Sequence, residues 1–187
     1  MKRVILVHGF NVRDGGAGSI LKLTPYLEAA GYRVKRFRLG FLDLIGVRML
    51  NGRFSDLLTD MSEPGDIVIG HSNGCLISML AAEQGAEFAQ MIFINPALDG
   101  DTPLPKQIKR LDVWFSPSDG PTWWAKFLYK HRWGDMARTG YVGVKDSRVV
   151  NHNKQNQTEL SSSHHSDVFE DKKLAFYAPL IIQNILP

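Results

Sequence analysis

The sequence predicts an α/β protein, a three-layer αβα sandwich with a mostly parallel sheet of about six strands. Short β-branched apolar runs alternate along the chain with stretches of helical spacing, which is the pattern of βαβ units. Several of these runs stop abruptly at a glycine, histidine or proline, as buried strands do when they emerge from a core. The 187 residues are 44% apolar, enough for one well-filled core, and a single domain spanning 1–187 is the expectation.

The elements follow in order. "RVILV" (3–7) reads as a strand ending at His8-Gly9. The Gly-rich "RDGGAGS" leads into helical spacing around Ile20 to Ala30, which Gly31 stops. "YRVKRF" (32–37) is a second strand, and residues 40–62 are helical through Leu50, Phe54, Leu57, Leu58 and Met61. "DIVIG" (66–70) is the third strand, and a helix runs from about Gly74 to Gln84. "MIFIN" (91–95) and "LDVWF" (111–115) are the fourth and fifth strands, and the latter runs into "SPSDG". A Trp-rich helical segment covers Pro121 to Trp133, "SRVVN" (147–151) supplies a sixth strand, and a terminal helix contains Pro179.

Composition narrows the function classes. The one cysteine, Cys75, excludes an internal disulfide framework and a thiolate metal cluster, and it reads as a small buried hydrophobe. No apolar run is long enough to span a bilayer, and Val4 to Val7 is too short for a signal-peptide core, so a cytoplasmic protein without stable membrane insertion is expected. Net charge is +3, with ten Lys/Arg against three Asp/Glu between Lys2 and Arg53. That excess suits an edge strand kept soluble by charge; a nucleic-acid face is the rival reading, and no nucleic-acid partner is expected. The "GGAG" loop matches neither nucleotide-binding fingerprint and reads as a flexible loop near the site.

The chemistry concentrates at "IGHSNG". Gly70-His71-Ser72-Asn73-Gly74 fits G-x-S-x-G, with an apolar strand before it and a helix-capable stretch after it. A sharp strand-to-helix turn lifts the serine above the sheet edge, and Cβ atoms at 70 and 74 would collide with neighbouring backbone. The helix then aims its first N–H groups at the place where negative charge develops. A serine hydroxyl is a weak nucleophile and needs a base oriented by a third group. Asp119 lies just beyond the fifth strand, and His165, in "SHHSDVF", lies before the final helix, so the chain order is Ser, Asp, His.

In these motifs, from "VILVHGF" to "HHSDVF", the chain resembles the small α/β-hydrolases of serine esterase and lipase type. The resemblance implies that fold without its first two strands, which puts "YRVKRF" at a sheet edge, and no substantial lid between Pro96 and Leu111. It implies catalytic Ser72, Asp119 and His165, with the backbone N–H groups of Phe10 and Asn73 forming the oxyanion hole. His165 is preferred to His164 because "HSDVF" is similar to the family's histidine and the apolar pair after it. Asp99 and Asp101 are the fallback acids, since the acid turn carries Ser116 and Pro117 where relatives often have glycine. His8 reads as structural, and His152 and His131 as surface residues. Trp123 and Trp124 either wall a pocket for an acyl chain or, with Trp133, pack a helix on the sheet.

The activity implied is hydrolysis of a carboxylester of a small-molecule acyl substrate, with no cofactor and no metal. An amidase, peptidase or thioesterase would use the same parts, and a non-catalytic binding protein of the same fold is the rival from another class.

Overall fold

Among the described residues, six parallel strands form one sheet in the order β2-β1-β3-β4-β5-β6: β1 (Arg3–Val7), β2 (Arg33–Phe37), β3 (Ile67–His71), β4 (Gln90–Ile94), β5 (Leu111–Phe115) and β6 (Val149–Asn153). The computed structural model describes residues 1–9, 13–38, 44–120, 133–156, 161–162 and 164–187. Parallel neighbours need crossovers, and among the described residues α1 (Thr24–Ala29) lies between β1 and β2, α2 (Leu44–Met61) between β2 and β3, α3 (Asn73–Glu83) between β3 and β4, and α4 (Met136–Thr139) between β5 and β6, while α5 (Asp171–Gln183) follows β6.

The two faces of the sheet carry separate cores. Ile5, Val7, Val68, Met91, Phe93, Leu111 and Val113 point to one side and pack with Leu58 of α2, with α3, and with Met136 of α4. Val4, Leu6, Ile67, Ile69, Ile92, Ile94 and Trp114 point to the other and meet Leu27 of α1 and Leu174, Tyr177 and Ile181 of α5. Successive residues of a strand face opposite layers, so a strand covered on both sides must be apolar at every position, as β1 is. Helix α3 is buried on nearly all sides because it lies between the sheet and α2.

β2 is an edge strand, with Arg33, Lys35 and Arg36 exposed along it. Unpaired backbone at an edge is an aggregation template, and these charges blunt it. Arg3, from the same basic third of the sequence, is internal. Its Nε donates to Asp66 Oδ1 at 2.8 Å and an Nη donates to Asp66 Oδ2 at 2.5 Å, tying the start of β1 to the start of β3. The charge excess is therefore partly an internal brace.

Several boundaries differ from the sequence expectation. β6 starts two residues later than "SRVVN", because Asp146 accepts from the backbone N–H and the guanidinium of Arg148 and holds that segment as a turn. β6 is the other edge, so its His152 and Asn153 need no apolar cover. The first helical region opens with a 3-10 turn at Ile20–Leu23, with α1 following from Thr24. The short helix α4 was not anticipated; four residues, stopped by Gly140 at φ 69°, leave almost no periodic signal. The expected start of α2 at residues 40–43 and the Trp-rich helix up to residue 132 lie outside the described residues. Helix α5 is continuous through Pro179. Residues 95–110, between β4 and β5, contain no helix or strand. Among the described residues, no helix is long and apolar enough to cross a membrane.

Candidate active site

The strand order sets the location. The chain moves outward from β1 to β2, then returns to place β3 on the other side of β1. The winding reverses between β1 and β3, and open α/β sheets carry their sites beyond the carboxyl ends of the strands at such a point. His8-Gly9 leaves β1 at that point and Ser72 leaves β3.

Ser72 is partly exposed and sits at φ 54° and ψ −122°, a backbone conformation that L-residues rarely adopt. The turn is over-determined by its neighbours. Ser72 N–H donates to the Ile94 carbonyl, and Ser72 O accepts from the N–H groups of Cys75 and Ala97, all at 3.1 Å. Gly70 and Gly74 are required by close approach. A Cβ at 70 would lie 3.0 Å from the Cys75 backbone, and one at 74 would lie 2.3 Å from Val7 O. Gly9 also sits at a close approach, less tight than Gly74: a Cβ there would lie 2.9 Å from Ser72 Cβ, 3.2 Å from His71 O and 3.4 Å from Ser72 Oγ.

His165 and Asp119 come together across 46 residues of chain. Nδ1 of His165 donates to Asp119 Oδ2 at 2.7 Å, which leaves Nε2 as the nitrogen turned away from the carboxylate. Asp119 is buried, on a turn closed by its own N–H donating to Ser116 O at 2.9 Å. No glycine is needed there, because α4 braces the loop: Ser116 N–H donates to Ala137 O at 2.9 Å and Arg138 Nε to Pro117 O at 3.1 Å. His164 is exposed, and its backbone N–H donates to Asp167.

His71, the residue before Ser72, links the two halves of the site. Its Nε2 donates to the His165 carbonyl at 3.1 Å, and the two rings lie 5.0 Å apart. Phe169 also packs edge-on against His71, with ring centroids 4.9 Å apart. Burial, with the neighbouring His165 second, pushes the His71 pKa down to about 3, so the ring is neutral wherever a hydrolase would work.

Beneath Asp119 runs a buried polar chain. Asn95, at φ 46° just past β4, donates from Nδ2 to Asp119 Oδ2 at 2.5 Å and accepts at Oδ1 from Lys154 Nζ at 2.6 Å. Lys154 Nζ also donates to Ser162 Oγ at 3.0 Å, and Ser162 donates on to Asp167. Asp167 further accepts from Lys173 Nζ at 2.6 Å. Despite its own burial, these donors hold the Asp167 carboxyl down at about 2. Desolvation pulls the Lys154 ammonium down to about 8.

The remaining expected site residues are placed as follows. Asn73 begins α3, so its backbone N–H is among the first-turn donors that a helix leaves unused. Its buried side chain exchanges hydrogen bonds with Asn51 at 3.0 and 3.1 Å and accepts from Trp133 Nε1 at 2.8 Å, so Trp133 packs in the core. Phe10, Trp123, Trp124 and His131 lie outside the described residues. Asp99 lies against Gly134, where a Cβ would be 1.9 Å from its Oδ1, and Asp101 is exposed. His8 is buried with Nδ1 2.9 Å from Gly9 O. His152 stacks on Trp114 and contacts buried Asp112 at 2.8 Å, so it braces the sheet edge. The Gly-rich loop lies against His8 and is organised by Asp14, which accepts from the N–H groups of Gly16 and Gly18. Cys75 is buried. No set of His, Cys, Asp or Glu side chains among the described residues could hold a metal.

Comparison with solved structures decides the fold. The mouse alpha/beta hydrolase domain-containing protein 10 superposes with a TM-score of 0.61 at 13% identity, covering 98% of this chain and 89% of its own. A monoacylglycerol lipase from Paleococcus ferrophilus also gives 0.61 at 13% identity, covering 97% and 93%. The chain has the α/β-hydrolase fold. A member of the alpha/beta hydrolase superfamily from Xanthomonas campestris pv. campestris is similar over 98% of this chain and 99% of its own, with a TM-score of 0.54 and 16% identity. No family model matches the sequence, and no curated protein sequence matches it.

Three contributors to the site were not anticipated from sequence: His71, Asn95 and Lys154. Asn95 carried a usable sign, since asparagine is one of the few residues that tolerates left-handed backbone at a strand end. Lys154 carried none. Its "NHNKQN" context reads as ordinary polar loop.

Proposed function

We propose that the protein is a serine hydrolase that cleaves a carboxylester through an acyl-enzyme. The observation that supports this reading best is the 2.7 Å contact of His165 Nδ1 with Asp119, on a segment whose carbonyl is bonded by the residue preceding Ser72. Ser72 Oγ attacks the acyl carbon while Nε2 of His165 takes its proton. The carbonyl oxygen becomes an oxyanion, stabilised by the Asn73 N–H at the start of α3 and by the Phe10 N–H. Collapse breaks the bond to the alcohol oxygen, and the alcohol leaves with the proton returned by His165. Water then attacks the acyl-serine with His165 again as base, releasing the carboxylic acid and free Ser72. Asp119 keeps the proton on Nδ1 and stabilises the imidazolium.

Esters are favoured over amides and thioesters because they are the least demanding acyl donors, and the lipases among the structural neighbours are consistent with that choice. A fluorophosphonate probe tests the reading: it should tag the wild-type protein at Ser72 and leave Ser72→Ala untagged. A panel of p-nitrophenyl esters with parallel amides then ranks the acyl donors. An untagged wild-type protein would favour the non-catalytic binding role.

A further inference from the structure

We propose that Lys154 is a positioning residue for the triad: its buried ammonium, acting through the side-chain amide of Asn95, orients the Asp119 carboxylate and offsets its charge. The proposal rests on the assignment of Asp119 and His165 as a catalytic pair.

Lys154 is fully buried, as are Asn95 and Ser162. An ammonium only donates, so Asn95 must turn its Oδ1 toward Lys154, which it does at 2.6 Å. The amide is planar, and its Nδ2 is thereby committed to the opposite side, where it meets Asp119 Oδ2 at 2.5 Å. That same oxygen accepts from His165 Nδ1. The lysine thus decides which end of the amide faces the carboxylate, and the amide decides which carboxylate oxygen is presented to the base. The strained backbone of Asn95 is what carries its side chain into this gap.

Charge supports the geometry. The groups facing Lys154 are Asp119 from the loop after β5, Asp167 from the turn before α5, Lys173 from α5, and His71 from the end of β3. Tyr177 of α5 donates to the Lys154 carbonyl at 3.0 Å and fixes the backbone. The buried ammonium offsets part of the Asp119 charge through the Asn95 amide, at the same carboxylate oxygen that meets His165 Nδ1.

The test is a pH titration of the His165 imidazole by nitrogen NMR in wild type, Lys154→Met and Lys154→Gln, run beside p-nitrophenyl acetate kinetics. Gln keeps a hydrogen bond to Asn95 without the charge, and it carries the test if the Met variant does not fold. Removing the cation should move the His165 titration upward from its wild-type position. It should also move the acid limb of kcat/KM upward by the same amount, and lower kcat about tenfold or more with little change in KM. A purely structural lysine would change thermal stability and leave the His165 titration where it was. An unchanged His165 titration in a folded variant overturns the proposal. Failure of the esterase reading looks different: no fluorophosphonate tagging of wild type, whatever the titration shows.

Discussion

Nε2 of His71 donates to the backbone carbonyl of His165, so the residue that precedes the candidate nucleophile holds the backbone of the candidate base. The bond joins β3 to a loop 94 residues further along the chain, and its donor is buried and neutral. The candidate nucleophile and the backbone of the candidate base are thereby tied to the same strand end.

His71→Ala should therefore lower kcat about ten- to a hundredfold with modest change in KM, because misplacing the base is felt in the transition state more than in substrate binding. Steady-state kinetics on a short p-nitrophenyl ester checks this. Unchanged kcat would mean that other contacts place the His165 loop.

Within the proposed triad, Ser72→Ala and His165→Ala should abolish turnover, and Asp119→Asn should reduce kcat by about 10⁴ through loss of the correct tautomer. His164→Ala should keep most of the activity, since His164 is exposed and only its backbone N–H is engaged by Asp167. A reversed result for the two histidines would reassign the base.

Gly9→Ala and Gly74→Ala should separate activity from folding. The Cβ at 74 would press on Val7 O and His8 O, both backbone atoms in or beside the central strand, so a loss of about 3–5 kcal/mol or outright misfolding is expected. At 9 the Cβ would meet Ser72 Cβ at 2.9 Å and His71 O at 3.2 Å, a milder clash than at 74, so the variant should lose less stability and lose turnover by displacing Ser72. Urea denaturation beside kinetics on both variants reads the difference.

Acid stability should fall in two windows. His71 titrates at about 3 in the folded chain and about 6.5 when unfolded, so between those values the unfolded state binds the extra proton. Stability present above pH 6.5 is then lost as pH falls toward 3. Asp167 sits at about 2 when folded and about 3.9 unfolded, so its contribution is lost only below pH 4. Urea midpoints measured from pH 7 to pH 2 should show both declines, with His71→Asn flattening the upper one and Asp167→Asn the lower.

The sequence by itself carried the layered α/β architecture, six strands within a residue or two of their positions, and the serine turn. Those features are local: β-branched runs, helical spacing and the glycines of "GHSNG" are imposed by sterics between near neighbours, so they can be read along the chain. Asp119 and His165 could be named as candidates because each follows an element whose order in the fold is implied by its order in the sequence.

Tertiary structure alone decided that His71 grips the His165 carbonyl, that Asn95 and Lys154 stand behind Asp119, that α4 replaces a glycine as the brace of the acid turn, and that Arg3 is an internal brace. Each of these is a hydrogen bond, ion pair or packing contact between residues tens of positions apart. A buried lysine is indistinguishable in sequence from an exposed one, because the desolvation that makes it distinctive exists only once the surrounding chain has closed over it.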